Sequence, residues 1–327
     1  MSSPEQAAGV RPDNPVEASS MLPAPSVQIV VPVRNGGEVW RQAAAALARE
    51  ASCCSRAPAV LVVDSSSTDG SDEVAVHHGF RMRRIDPAWF DHGGTRNAAV
   101  DARAEIAVFL TQDAILQPGA LDALLDAFND PAVAVAYGRQ LPHVSANPIA
   151  AHARLFNYPV QEYVAGKEDI PRRGLKTAFV SNSFAAYRVS VLTALGGFPT
   201  KSIVSEDMHL AARAVLAGWR VAYVSRAMAR HSHNYSPLAE FRRYFDIGVF
   251  HAANPWIVQS FGGAEGEGAR FLRSELQYLW RCGPLWLPRA AAHTLLKYAG
   301  FRLGKLSGRL PVWLCRRLSM HRGYWTQ

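Results

Sequence analysis

From Ser26 onward, short β-branched runs alternate with Ala- and Leu-rich stretches of helical length: VQIVVPV, then GEVWRQAAAALARE, then AVLVVDS, then GSDEVAVHHG. Switching repeatedly between a period of two and a period near 3.6 is the mark of strands separated by crossover helices. The pattern continues through RMRRID, a helix opening near GGTRNAAVDA, the strand EIAVFLTQD, the helix PGALDALLDAF and the strand VAVAYGR. An α/β fold follows, with a mostly parallel sheet and helices on both faces.

Past residue 145 the alternation weakens. AFVSNSFAAYRVSVLTALGGFP leads into the charged helical stretch SEDMHLAARAVLAG, and RVAYVS supplies another strand to the same sheet. The expected division is a leader over 1–25, a nucleotide-binding half over 26–145, an acceptor half over 146–250 and a helical tail over 251–327. The leader is rich in Pro, Ala and Ser and lacks a basic start leading into a long apolar run, so it reads as disordered rather than as a signal peptide.

With 327 residues, 49% hydrophobic and 19% charged, the chain can bury a large core and is not a disordered protein. Its formal charge of +8 points to an anionic partner without choosing among nucleotide, nucleic acid and phospholipid. Cys53, Cys54, Cys282 and Cys315 include no C-x-x-C, so neither a disulfide framework nor a zinc site is suggested, and a reducing cytosol is the simplest setting. No run approaches the roughly 18 apolar residues of a spanning helix.

In open α/β sheets, ligands bind beyond the carboxyl ends of the strands. The polar residues expected there are Arg34 and Asn35, Asp64 with Ser65, Asp86, and Thr111 to Asp113. Each also suits an ordinary turn or cap. No G-x-x-x-x-G-K-[ST] is present and no G-x-G-x-x-G follows the first strand, so phosphates must be neutralised by a cation or by Arg and Lys. Asp113 is a candidate oxygen ligand for Mg²⁺ or Mn²⁺, and His231 or His233, just beyond RVAYVS, a second ligand. Glu206 and Asp207 begin a helix, where the dipole alone welcomes carboxylates, and either could equally act as a general base.

VVPVRNGG, VVDSSSTDGS, FDHGGTRNAA, FLTQDAILQPGAL and SEDMHLAARAVLAGW occur in the order of the motifs of family 2 inverting glycosyltransferases, which the chain resembles over about residues 26–250. The further set FDHGGTRN, LTQDA, YGRQLP, FNYP and SHNYS resembles the bacterial rhamnosyltransferases of O-antigen and exopolysaccharide synthesis. The resemblance implies a GT-A, Rossmann-like sheet with a C-terminal helical extension. It implies a nucleotide-sugar site formed by Pro32, Arg34, Asn35, Asp64, Asp69, Arg96, Asn97, Thr111 and Gln112. Within that site Asp64 meets the base or ribose, Asp69 supports its loop, and Arg96 and Asn97 lie near the diphosphate. It makes Asp207, beside Glu206, the catalytic base. Asp113 matches the second carboxylate of a D-x-D metal motif whose first position is Thr111, which weakens the expected metal requirement. Q-x-x-R-W, a motif of processive members, is absent, so one sugar is transferred per encounter.

The implied partners are dTDP-L-rhamnose, or another donor such as a UDP-hexose, and a glycan or lipid-linked saccharide. A sugar-nucleotide pyrophosphorylase is a poorer match, because PVRNGGEVW lacks the Gly-rich loop with Arg and Lys. No Asp or Glu follows Glu275, while Arg and Lys recur among Trp280, Trp286, Trp313 and Trp325. Basic residues interleaved with aromatics suit single-stranded nucleic acid or a carbohydrate-binding module, and equally an anionic membrane surface. The membrane reading is preferred over nucleic acid, giving a peripheral protein on the cytoplasmic face of the inner membrane.

Overall fold

The computed structural model describes residues 26–263 and 266–326, so the leader over 1–25 lies outside the described residues. Among the described residues nine strands form one sheet: β1 (Val27–Val33), β2 (Ala59–Asp64), β3 (Arg81–Arg84), β4 (Ile106–Leu110), β5 (Ile115–Leu116), β6 (Val133–Leu141), β7 (Tyr163–Ala165), β8 (Phe184–Arg188) and β9 (Arg220–Arg230). Their order is β3-β2-β1-β4-β8-β6-β9-β5, with β7 also paired to β9. The first four strands are mutually parallel. β8 runs antiparallel between β4 and β6, and β9 returns parallel to β6.

β1 and β4 are buried on both faces, as their near-continuous apolar sequences require of central parallel strands. Alternate side chains serve different layers. Ile29, Val31, Val108 and Leu110 pack with Trp40 and Leu47 on one face, whereas Val30 and Phe109 pack with Tyr187 and Phe198 on the other. The edge strand β3, RMRR, is exposed along its length, and its charges discourage pairing with another chain.

Beyond β9 the helix Pro237–Ala253 is capped by Ser236, whose side chain accepts the Ala239 N–H. Residue 250, where the sequence division placed the end of the acceptor half, lies inside this helix. The helix Leu287–Lys305 lies against it, so the tail is packed on the catalytic domain. A Cβ on Gly300 would meet the Phe241 carbonyl oxygen at 2.3 Å and one on Gly304 the Phe245 oxygen at 2.0 Å. No helix among the described residues is long and apolar enough to cross a membrane.

Candidate active site

The chain leaves β1 for β2 and β3 on one side, then crosses to β4 on the other, so the strand order reverses between β1 and β4. A crevice opens at the carboxyl ends of such a pair. Gln112, just past β4, spans it: Oε1 accepts the Arg34 N–H at 2.7 Å and Nε2 donates to the Arg34 carbonyl at 3.3 Å. Pro32 lies in β1 beside Val63 of β2. Asn35 is held at φ 46°, a left-handed conformation that asparagine tolerates better than most residues. Its Oδ1 accepts the Thr68 N–H at 2.8 Å and its own N–H reaches Ser67 Oγ at 3.0 Å.

The two aspartates of the neighbouring loop shape it. Asp69 accepts the N–H groups of Gly37 at 2.9 Å and Ser71 at 3.1 Å, and the bond from the Ser71 side chain leads the effects that hold its carboxyl below the ordinary range. Asp64 is fully buried. Its oxygens face the Ser67 N–H at 3.1 and 3.3 Å, with Arg84 Nε at 3.5 Å. The carboxylate is thus turned into the loop between β2 and the next helix, and the open rim is formed by Arg34, Asn35 and Thr68.

On the other side of β4, the side chains of Asp113, His231 and His233 converge, with one ligand atom of each lying within 4.8 Å of the others. Both histidine Nε2 atoms face Asp113 Oδ2, at 3.4 Å from His231 and 3.5 Å from His233. Residues 113 and 231 meet because β5 and the end of β9 pair antiparallel, Ile115 opposite Arg230. The tautomer of buried His231 is set by Gln140, whose Nε2 donates to Ser181 Oγ at 3.0 Å and whose Oε1 accepts from His231 Nδ1 at 2.9 Å. That leaves the Nε2 lone pair facing Asp113, the outer-shell arrangement found behind metal-bound imidazoles.

Burial drives the His231 imidazole down to about 3, against the attraction of Asp113. For Asp113, burial alone would raise the carboxyl, but the neighbouring histidines, the Thr111 side chain and the main chain together hold it below its ordinary value. One carboxylate and two neutral imidazoles form a donor set suited to Mn²⁺ or Mg²⁺, and better matched to Mn²⁺ because of its nitrogen ligands. Thr111 lies at the end of β4, with its N–H 3.4 Å from the Ser183 carbonyl.

Glu206 and Asp207 open the helix Glu206–Leu216 behind Ser205, a non-glycine residue at φ 59°. Such conformations cost of order 1–3 kcal/mol and persist where the surroundings enforce them. The two carboxylates have opposite environments. Glu206 is buried in an ion pair with Arg96 at 3.1 Å and accepts from Asn182 Nδ2 at 3.1 Å. Burial opposes its ionisation, yet Arg96, His92 and Asn182 together hold it low. Asp207 is only partly covered and forms no ion pair among the described residues, Arg96 acting on it only weakly. Its oxygens accept the Asn182 N–H at 3.0 Å and the Met208 N–H at 2.8 Å. Loss of water, followed by the neighbouring Glu206 charge, pushes it up to about 7.

Arg96 therefore faces Glu206 and the His92 carbonyl, and the structure does not bring its guanidinium to the open rim. Asn97 likewise grips main chain, donating to the Phe198 carbonyl at 2.8 Å and accepting the Phe198 N–H at 2.9 Å. Reasoning from sequence missed the segment that joins the two halves of the site. Asn182 holds both Glu206 and Asp207, while adjacent Ser183 lies 3.4 Å from His231 Nε2. The available signal was three polar residues, SNS, inside the apolar run AFVSNSFAAY. Arg154, which also bonds Gln140 Oε1, was missed as well.

A switch-point crevice, a carboxylate–histidine cluster and a carboxylate of raised pKa are arranged as a nucleotide-sugar-dependent transferase of the GT-A type would need them. The comparisons agree. The pattern described as glycosyltransferase like family 2 matches residues 14–245, and the chain belongs to that family. It is 48% identical over 305 residues to the O-antigen chain rhamnosyltransferase WbaN of Salmonella anatum, covering 92% of this chain and 96% of the relative. It is 46% identical over 303 residues to the O-antigen chain rhamnosyltransferase RfbN of Salmonella typhimurium, covering 91% and 96%. Among solved structures, a mannosyltransferase from Pyrobaculum calidifontis in complex with GDP-Man and Mn²⁺ superposes with TM-score 0.54 at 18% identity, covering 92% of this chain and 85% of that one. At that identity the likeness establishes the fold alone.

Proposed function

We propose that this glycosyltransferase moves an L-rhamnosyl group from dTDP-L-rhamnose to a hydroxyl of a glycan or lipid-linked saccharide, inverting the anomeric centre. The observation that carries the chemistry is Asp207: a partly open carboxylate of raised pKa, fixed by two N–H groups and without a neutralising cation. As the acceptor oxygen attacks the anomeric carbon, its proton passes to Asp207 and the bond to the nucleotide diphosphate breaks. A base poised near the working pH combines availability with proton affinity. Asp113, His231 and His233 would hold a divalent cation, which supplies Lewis-acid stabilisation of the departing diphosphate.

The loop shaped by Asn35, Asp64 and Asp69 receives the nucleoside, with Arg34 and Gln112 at its edge. Arg96 and Asn97 act as positioning residues, one orienting Glu206 and the other fixing the turn at Phe198. The donor assignment rests on the two rhamnosyltransferase relatives, each similar over nearly its whole length. It is tested by following hydrolysis or transfer from dTDP-rhamnose, UDP-glucose, UDP-galactose and GDP-mannose. dTDP-rhamnose should be the preferred donor; a preference for any of the others overturns the assignment while leaving the family intact. The basic, Trp-bearing tail supports a peripheral position on the cytoplasmic face of the inner membrane.

A further inference from the structure

A cavity of about 930 Å³ lies outside the donor crevice, among the helices Pro148–Asn157, Ile170–Arg173, Pro237–Ala253, Glu267–Cys282 and Leu287–Lys305. Its size is that of a small-molecule site. Much of its wall is apolar, including Phe156, Leu175, Phe271, Leu272 and Tyr298. Leu272 and Tyr298 are also exposed, and from Leu272 the exposed row continues along one helix face through Leu276 and Trp280 at intervals of four residues. An apolar path therefore runs from the outer surface into the cavity.

The polar part of the wall is strongly cationic. Lys176 and Arg270 both pair with the same carboxylate, Glu267. Arg173 stacks on Tyr163, its guanidinium carbon 3.5 Å from the ring centre, and its buried Nε has no hydrogen-bond partner among the described residues. Burial, followed by repulsion from Arg270 and Arg173, lowers the Lys176 ammonium below its usual range. Arg172 and Lys297 also line the cavity but pair with Asp169 and Glu240, so Arg173, Lys176 and Arg270 face the single carboxylate of Glu267 and leave positive charge for an anion to neutralise. The cavity also adjoins the catalytic side of the fold: Phe156 and Asn157 run directly into buried Tyr158, whose hydroxyl is pushed up by burial and feels the charges of both Arg154 and Asp207.

We propose that this cavity binds the anchor of the acceptor, a single apolar chain ending in a phosphate or diphosphate. The chain lies against Phe156, Leu175 and Phe271, and the head group against Arg173, Lys176 and Arg270. The inference deepens the function proposed above and rests on its lipid-linked acceptor, but not on the identity of the donor sugar. Apolar wall and cationic rim together select an amphiphile over a free anion or a neutral lipid.

Calorimetry on the full chain tests this with three probes: farnesyl diphosphate, inorganic diphosphate and farnesol. Farnesyl diphosphate should bind at least about tenfold more tightly than either fragment, a difference of 1.4 kcal/mol or more. Arg270→Ala and Leu272→Glu should each weaken it about tenfold, while leaving the urea unfolding midpoint unchanged as a sign of an intact fold. Equal affinity for inorganic diphosphate overturns the proposal, as does displacement of farnesyl diphosphate by dTDP. Displacement by phosphatidylglycerol vesicles would assign the cations to bilayer headgroups instead, and also overturns it. No sugar transfer is read, so a wrong donor assignment leaves these outcomes unaffected.

Discussion

Asp207 and Glu206 are adjacent in sequence yet shifted in opposite directions: burial and then the Glu206 charge raise Asp207, whereas the direct Arg96 ion pair helps to hold Glu206 low. As the proposed base, Asp207 must lose its proton to act, so kcat/KM should rise with pH through about 7 and level off above it. Glu206→Gln removes the charge that helps raise Asp207, so that acidic limb should move to lower pH. The same change leaves Arg96 buried and unpaired, at a cost of about 3–5 kcal/mol in stability. A pH–rate profile with the limb unmoved in Glu206→Gln would show that Asp207 is not the titrating group. At the cluster on the other side of the crevice, EDTA should abolish transfer and Mn²⁺ or Mg²⁺ restore it. His231→Ala should raise the cation concentration needed by about 10- to 100-fold or more, as for loss of a supporting or direct metal contact. Full activity in chelator overturns the metal reading. Asp64 and Asp113 were legible in the sequence because each ends an apolar run. Gln140 and Asn182 were not, since their partners lie 91 and 24 residues away and only the closed sheet brings them together.

At the scale of elements, the pairing of the helices Pro237–Ala253 and Leu287–Lys305 depends on glycines that let two backbones touch. Gly248 takes part from the opposite side, where a Cβ would meet the Phe301 carbonyl oxygen at 2.4 Å. Gly304→Ala places a methyl group against the Phe245 carbonyl in a space that is already filled, so the helices must separate. Alanine favours an isolated helix by about 1 kcal/mol over glycine, yet overpacking of this kind typically costs 1–3 kcal/mol, and the backbone contact offers no flexible side chain to yield. The urea midpoint should therefore fall without a change in m; a midpoint at or above that of the parent would show the pair to be loosely packed. The elements that sequence made legible are those with a clear period. β1, β2, β4 and the helices between them fall where alternation placed them. β5 and β7, of two and three residues, are too short to establish a period, and β8 follows the polar SNS step that hides its start. The sequence expectation of a mostly parallel sheet holds fully for β3-β2-β1-β4. It misses the antiparallel pairing of β8, because the side-chain period is the same in either direction.

Over the whole molecule, charge and apolar exposure are both gathered at the carboxyl-terminal end. No acid follows Glu275, and Trp280, Leu285 and Trp313 are 69%, 93% and 65% exposed. Each Lys or Arg near an anionic surface contributes about 1 kcal/mol, and Trp settles at the headgroup level, so several such contacts can hold a protein without a spanning helix. Packing of the tail on the catalytic domain does not conflict with this, because these side chains point away from that contact. Packing does rule out tail deletion as a clean test. The helix Leu287–Lys305 covers the helix Pro237–Ala253, and the N–H groups of Met320 and His321 are accepted by buried Asp246 at 3.0 and 3.1 Å. His321 further packs edge-on against His92, which acts on Glu206, so truncation would disturb the active site as well. Substitution on the surface separates the two roles. The full chain should pellet with anionic vesicles at low salt and be released at 1 M, where the Debye length is about 3 Å. The triple variant Trp280→Glu, Leu285→Glu, Trp313→Glu should remain in the supernatant at low salt while keeping its unfolding midpoint and its transfer to a soluble acceptor. If that variant pellets like the parent, the tail is not what holds the enzyme to the membrane.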